Sequence, residues 1–333
     1  MSKITLNKTK FFNNLDIIAD KTKSKDKIAL VLKDNAYGHG LELVAQMAQE
    51  YGITKAVVRT TSEAKIIENF FTYILVLADI PQMPDENIRY TINDIATIKK
   101  FPKGTKVELK VDTLMHRNGI AIDALEMALE AIKEQGLLLE AIFTHHRSAD
   151  ELTSEWFVQN KLFSQVKVKA KSLGYEELRY HSANSASLFR YGDFDEDMAR
   201  IGIAAYGCLE SSASTQEDLQ PILSLSASKN STRELTKGER VGYGGSYAMS
   251  VGAKVSNYDF GYADGFIRIL SNNYTTPNGQ KLLGKISMDN SSFLCEEEEI
   301  VIFNDAREIA KQAQTIPYEI LTSLKAGIKR EFL

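Results

Sequence analysis

The 333-residue chain is 44% hydrophobic and 25% charged, the balance of an ordinary globular protein. Its net charge of −4, with no basic stripe, disfavours a nucleic-acid partner, and no apolar run approaches the roughly 20 residues needed to span a bilayer. The start Met1-Ser-Lys-Ile-Thr-Leu-Asn lacks the apolar region of a signal peptide, so a cytoplasmic location without a membrane partner is expected. Cys208 and Cys295, far apart and expected to be reduced, suggest neither a disulfide framework nor a zinc site.

In chain order, Ile4-Thr5-Leu6-Asn7 is a candidate strand, and a helix is expected from about 8 to 22. The run Ile28-Ala29-Leu30-Val31-Leu32 is continuous rather than alternating, as in a strand covered on both faces. It ends abruptly at Lys33, the strand end at which α/β folds place reactive groups. Gly38 and Gly40 then predict a tight turn before a helix over Leu41 to Gln49. Further candidate strands lie at 55–59, 74–78, 89–92, 106–112, 138–144, 178–182 and 199–205, with Arg89-Tyr90-Thr91-Ile92 short and polar. Together with 28–33 they make eight, the number a (β/α)₈ barrel requires. Amphipathic segments alternate with them, including Ala121 to Gln135 and the longer Glu151 to Ser172.

The pattern changes after Gly207. The Ser/Thr-rich stretch Glu210 to Glu217 reads as a linker, followed by strand-like runs at Pro221 to Lys229, Tyr262 to Leu270 and Leu282 to Leu294, with Pro277-Asn278-Gly279 as a hairpin turn. The expected fold class is therefore α/β: a TIM-type (β/α)₈ barrel over residues 1–216 and a mostly β domain over 217–333, with residues 1–7 a candidate strand of the latter. The acidic run Glu296 to Glu299 is read as a solvated turn, because consecutive carboxylates on a strand cannot converge on one ion.

Several polar groups stand out against this frame. Lys33 is either a strand-end lysine reaching solvent or an amine whose charge burial suppresses for chemistry. His181-Ser-Ala-Asn-Ser-Ala186 leaves the seventh strand as a helix cap or as an anion-binding turn. Arg200, within Met198-Ala-Arg-Ile-Gly-Ile203, needs a partner, for which the carboxylate of Asp197 is one candidate. Tyr262 in Gly261-Tyr-Ala-Asp-Gly265 reads as a turn aromatic or an acid/base. Lys110 and Arg117 close the fifth strand, as surface cations or as an anion site.

The segment Val31-Leu-Lys-Asp-Asn-Ala-Tyr-Gly-His-Gly40 closely resembles the lysine motif of the alanine racemases, a fold-type III pyridoxal 5′-phosphate (PLP) family. The other motifs follow in that family's order from Ile4 to Tyr318. The resemblance implies that Lys33 forms a Schiff base with the cofactor, and that Lys33 and Tyr262 are the two acid/base groups on opposite faces of the substrate α-carbon. It assigns Ser185, Tyr37, Tyr318 and the backbone at Gly202 and Ile203 to the phosphate, Arg200 to the pyridine nitrogen, and His145 to a link between Tyr262 and Arg200. A guanidinium there donates without transferring a proton and leaves the ring a weaker electron sink. Arg117 would bind the substrate carboxylate, Lys110 corresponds to a lysine often carbamylated, and Met288 and Asp289 in Ser287-Met-Asp289 would lie on the substrate side.

The family also implies a homodimer in which Tyr262 serves the neighbouring subunit's site, and a D-alanine product used in peptidoglycan synthesis. Leu114, Asn118, His146, Arg147 and Ser287 depart from the family pattern without removing a catalytic group. A broader or serine-preferring racemase, a fold-type III amino acid decarboxylase and a PLP-binding carrier protein are the competing readings. The second domain and Tyr262 argue against the last two.

Overall fold

The computed structural model describes residues 1–212 and 218–333; most of the expected Glu210–Glu217 linker therefore lies outside the described residues. Eight parallel strands form one sheet: β2 (Ile28–Val31), β3 (Lys55–Val58), β4 (Tyr73–Val76), β5 (Ile88–Ile92), β6 (Lys106–Lys110), β7 (Leu138–Phe143), β8 (Arg179–His181) and β9 (Ala199–Ile201), while β1 (Lys3–Leu6) belongs elsewhere. They run in the order β8-β7-β6-β5-β4-β3-β2-β9, which curls into a barrel with helices outside. Each of the eight expected strands is present, including the short polar one at 88–92. β2 and β4 are buried at every residue, which explains their unbroken apolar sequences Ile-Ala-Leu-Val and Tyr-Ile-Leu-Val. The seam between β8 and β9 lacks a ladder, but the Arg200 N–H donates to the Ala183 carbonyl over 3.0 Å.

The interior of this barrel is unusually polar. Glu108 and Lys110 on β6, and Arg179 and His181 on β8, are two residues apart and so share the inward face of their strands. Glu108 and His181 are completely buried.

The second domain is built on β10 (Leu223–Leu235), whose first half pairs with β1 and whose second half pairs with β13 (Ala253–Tyr258) across a bulge between Lys229 and Ser231. A small ribbon joins β11 (Arg240–Val241) to β12 (Tyr247–Ala248). β14 (Leu282–Leu283), β15 (Ser291–Phe293), β16 (Glu299–Phe303) and β17 (Lys329–Phe332) complete the sheet, with β1 between β10 and β17. Helices Ala306–Ala313 and Pro317–Ser323 precede the last strand.

Three expectations need correction. Tyr262 to Leu270 is not a strand: Asp264 accepts the Gly261 N–H at 3.0 Å and Gly265 has φ of +112°, so turn chemistry overrides the β-forming side chains before a short 3₁₀ turn at Arg268–Leu270. Leu282 to Leu294 is two short strands divided by the loop that carries Ser287-Met-Asp289. The helix expected from Glu151 begins at Glu155. The Pro277-Asn278-Gly279 turn is present, closed by the Gly279 N–H to the Thr276 carbonyl at 2.9 Å.

Among the described residues, no helix is long and apolar enough to cross a membrane. Within the acidic run, Glu296 pairs with Lys254 at 2.8 Å and Glu298 with Lys229 at 2.6 Å.

Candidate active site

A cavity of about 600 Å³ opens at the carboxyl ends of the barrel strands. That is the end at which a parallel barrel presents its loops, so residues just past each strand converge there. Lys33 reaches it from the end of β2, Lys110 from β6, His145 from just beyond β7, Ser185 from beyond β8 and Arg200 from β9. Tyr37, Arg117, Gly202, Ile203 and Tyr318 also line it. Ten of the residues singled out in the sequence thus share one chamber.

Lys33 is held by an unusual backbone. Asp34, Asn35, Ala36 and Tyr37 take φ values of 54°, 57°, 52° and 51°, a left-handed turn made without glycine. Each such residue costs roughly 1–2 kcal/mol, so the surroundings must fix the turn. Gly38 follows at φ +77°, pressed so closely on Leu321 that an added Cβ would lie 2.0 Å from its carbonyl oxygen. The Lys33 ammonium lies 3.6 Å from Asp34, which in turn lies 3.6 Å from Arg59.

At one end of the cavity the Ser185 hydroxyl accepts the Gly202 and Ala204 N–H groups at 3.2 and 3.3 Å. Asn184 caps the short helix that begins at Ser185 by accepting the Ser187 N–H at 2.9 Å. Gly202 has no side chain, and a Cβ there would lie 2.8 Å from the Tyr37 hydroxyl, so the glycine leaves a cradle between that hydroxyl and Ser185. The Tyr318 ring packs 5.7 Å from the Tyr37 ring.

Arg200 also lines the cavity and is 6% exposed. Its partner is not Asp197, whose carboxylate accepts the Tyr180 N–H at 2.7 Å. Its donors go to Nδ1 of His181, to the Thr144 carbonyl at 2.7 Å, and to the His181 and Ser182 carbonyls at 3.2 Å each. A guanidinium has no acceptor, so His181 Nδ1 must accept and the imidazole proton must sit on Nε2. That proton points to Glu108 at 2.9 Å. Glu108 also accepts from Arg179 at 3.1 Å and from the Tyr73 hydroxyl. Arg179 continues to Glu140 at 2.9 Å, and Glu140 to Arg89 at 2.9 Å, so a polar chain runs from the cavity through the barrel interior.

The electrostatics follow from burial and crowding. Burial brings Arg200 down to about 10, still a cation at neutral pH. Burial pushes Glu108 up, but His181 and Arg179 outweigh this and hold it below the usual carboxylate value. Burial keeps His181 below its ordinary value, consistent with the neutral tautomer that the hydrogen bonds require. Lys110 falls to about 8 through burial and then the nearby charges of Arg117 and Arg200. Burial, with Arg200 beside it, drives His145 well below the usual histidine value.

Tyr262, Met288 and Asp289 do not line this cavity. They sit together on the second domain: the Tyr262 N–H donates to the Ser287 carbonyl at 3.0 Å and the Ala263 N–H to the Met288 carbonyl at 2.9 Å. Tyr262 is 42% exposed and Met288 54% exposed, a high exposure for such apolar side chains. Glu108, Tyr73 and Arg179 were not singled out in the sequence, and His181 was noted only as the start of the segment leaving the seventh strand. The available signal was a charged or titratable residue at every second position of Lys106-Val-Glu-Leu-Lys110 and of Arg179-Tyr-His181, within strands that must be buried on both faces.

Residues 6–210 match the family described as alanine racemase, N-terminal domain, and residues 222–332 match alanine racemase, C-terminal domain. The alanine racemase of Nitratiruptor sp. is 44% identical over 338 residues, covering the whole of both chains. Among solved structures, that of alanine racemase from Clostridium difficile superposes with a TM-score of 0.92 at 25% identity, covering 100% of this chain and 95% of that one. The alanine racemase of Bartonella henselae, a structure with covalently bound pyridoxal phosphate, superposes at 0.86 with 24% identity, covering 100% and 99%. Two matching domains, identity along the full length and the same fold agree: the chain belongs to the alanine racemase family.

Proposed function

We propose that this chain interconverts L- and D-alanine with PLP as cofactor, using Lys33 and Tyr262 as the two acid/base groups. The observation that carries the proposal is the meeting, in one cavity, of an amine, a buried guanidinium and a cradle of hydroxyl and backbone N–H groups. This donor set suits an aldehyde, a ring nitrogen and a phosphate. Lys33 would hold the cofactor covalently, Ser185, Tyr37, Tyr318 and the backbone at Gly202 and Ile203 would hold its phosphate, and Arg200 would face its ring nitrogen. When bound, the group withdraws electrons from the substrate α-carbon and so acidifies its proton.

The chain's own residues then decide where protons go. Inversion requires removal from one face and delivery to the other, which two separate groups do most simply. Lys33 serves the face inside the barrel. Tyr262 stands exposed outside the cavity of its own chain, which favours a homodimer in which each subunit lends Tyr262, Met288 and Asp289 to the other's site. His145 would contact that tyrosine and connect it to Arg200. Because Arg200 stays protonated, it would donate a hydrogen bond to the ring nitrogen without yielding a proton, and so would leave the bound group a weaker electron sink. Arg117 would bind the substrate carboxylate. The lowered basicity of Lys110 provides the neutral amine that adds to carbon dioxide with loss of a proton, giving a carbamate whose negative charge steadies Arg117.

The product would supply peptidoglycan synthesis in the cytoplasm. The direct test follows loss of optical activity from L-alanine with and without added PLP, with the oligomeric state measured in parallel. Turnover of serine and lysine beside alanine sets the substrate range. Borohydride reduction should trap the cofactor on Lys33, and a loaded protein that yields no Lys33 adduct would refute the assignment.

A further inference from the structure

The left-handed turn behind Lys33 closes on itself through Ala36 N–H to the Leu32 carbonyl at 2.8 Å and Gly40 N–H to the Asn35 carbonyl at 3.0 Å. L-residues disfavour this hand at each of the four positions from Asp34 to Tyr37, so groups outside the turn must keep it there. His39, just past the turn, donates from Nδ1 to the Ala36 and Tyr37 carbonyls at 2.9 and 3.0 Å, and two side chains from other elements also reach it. Glu63 accepts the Asp34 N–H at 2.6 Å with one carboxylate oxygen and the Arg59 N–H at 2.8 Å with the other. The second is Arg330, on β17 of the other domain, whose Nε donates to the Gly38 carbonyl at 2.9 Å.

Arg330 is unusual in its other contacts. Its remaining donors bind the backbone carbonyls of Ile328 at 2.7 Å, Ala326 at 2.9 Å and Lys325 at 3.0 Å, all in the loop before its own strand. The guanidinium is thus anchored to the second domain and spends one donor on the turn. Its side chain lies against Gly40, where a Cβ would be 2.8 Å from Arg330 Cδ, and Leu321 closes on Gly38 in the same way. No surface role explains a guanidinium with four carbonyl partners and none of its hydrogen bonds to a carboxylate.

We infer that Arg330 is a positioning residue for Lys33: the second domain locks the lysine turn of its own chain through the Gly38 carbonyl. The inference rests on the reading of Lys33 as the cofactor lysine only in its catalytic consequence; the lock itself is a property of the backbone. It gives the second domain a task in the same subunit, separate from presenting Tyr262.

The test compares full-length, cofactor-loaded Arg330→Met and Arg330→Lys with Ile328→Val, which loosens the approach to the same strand without touching Gly38. Amide hydrogen exchange of the peptide containing Gly38, His39 and Gly40 should quicken about tenfold in Arg330→Met beyond any change in Ile328→Val, with Arg330→Lys between them. The same order should hold for kcat, with KM little changed, because the lysine is displaced while the Arg117 side of the cavity is intact. Equal exchange and equal kcat in Arg330→Met and Ile328→Val would overturn the inference. If Arg330→Met does not fold, Arg330→Lys against Ile328→Val decides in the same way. Absence of a borohydride adduct on Lys33 in the unaltered protein would instead sink the functional reading, while the exchange comparison still judges the lock.

Discussion

Glu108 Oε2 and His181 Nε2 lie 2.9 Å apart inside the barrel, both completely buried, and this contact fixes which imidazole nitrogen faces Arg200. Replacing Glu108 with glutamine removes the charge that His181 and Arg179 both address. We expect Glu108→Gln to lower unfolding free energy by about 2 kcal/mol or more, read as a lower urea midpoint, because Arg179 loses a buried carboxylate partner and the hydrogen bonds of His181 and Tyr73 must rearrange around the amide. It should also change the absorbance of the bound cofactor, since His181 is then free to change tautomer and release Arg200. An unchanged midpoint and spectrum would show that the chain of contacts below Arg200 has no influence on it.

Mixing two inactive variants tests whether the site is shared. Lys33→Ala and Tyr262→Phe, each nearly inactive alone, should regain roughly one quarter of full activity when equal amounts are unfolded and refolded together, because half the dimers are mixed and half the sites in those are intact. If both groups act within one chain, no mixed species contains an intact site and activity stays at the background of the single variants.

Acid should weaken the protein before its carboxylates titrate. Burial lowers His39 to about 4, and its Nδ1–H already donates to the Ala36 and Tyr37 carbonyls at 2.9 and 3.0 Å. An unfolded histidine titrates near 6.5, so between about 6.5 and 4 the unfolded chain binds the extra proton. Stability is complete above that range and falls as pH drops through it, by up to about 3 kcal/mol from this residue. Thermal midpoints measured across the range should show the fall, and His39→Gln should flatten it. His146, also lowered to about 4 by burial, adds to the slope.

Gly38 allows a paired stability test. Gly38→Ala combines φ of +77° with a Cβ 2.0 Å from the Leu321 oxygen, and we expect a loss of about 2 kcal/mol or more together with weaker cofactor retention. Gly327→Ala, with nothing within 4 Å of the added carbon, should stay within about 0.5 kcal/mol. Denaturant midpoints and the rate of cofactor loss on dialysis provide both readouts.

The barrel was legible because strands covered on both faces write unbroken apolar runs, and Ile28 to Val31 and Tyr73 to Val76 do so plainly. The cavity set was legible through family motifs lying just past strand ends. The second domain was not: β13 and β16 are half-exposed strands with weak patterns, and Tyr262 to Leu270 looks like a strand by composition yet folds as a turn around Asp264. Glu108 escaped notice because one acidic residue in a strand is uninformative until its partners two strands away on either side, Tyr73 on β4 and Arg179 on β8, are known. Arg330 was hidden for the same reason, its partner Gly38 being 292 positions earlier.

The placement of β1 bears on how the polypeptide can be divided. Lys3 to Leu6 pair antiparallel with Leu223 to Ser226 and parallel with Lys329 to Phe332, as an interior member of the second sheet. During synthesis the residues of β1 must therefore wait for more than two hundred others before their neighbours exist. A cut in the connection between the domains would yield two pieces, the later one missing an interior strand that the earlier one carries. We expect the later piece alone to lack a complete sheet, and co-expression with the earlier one to restore it.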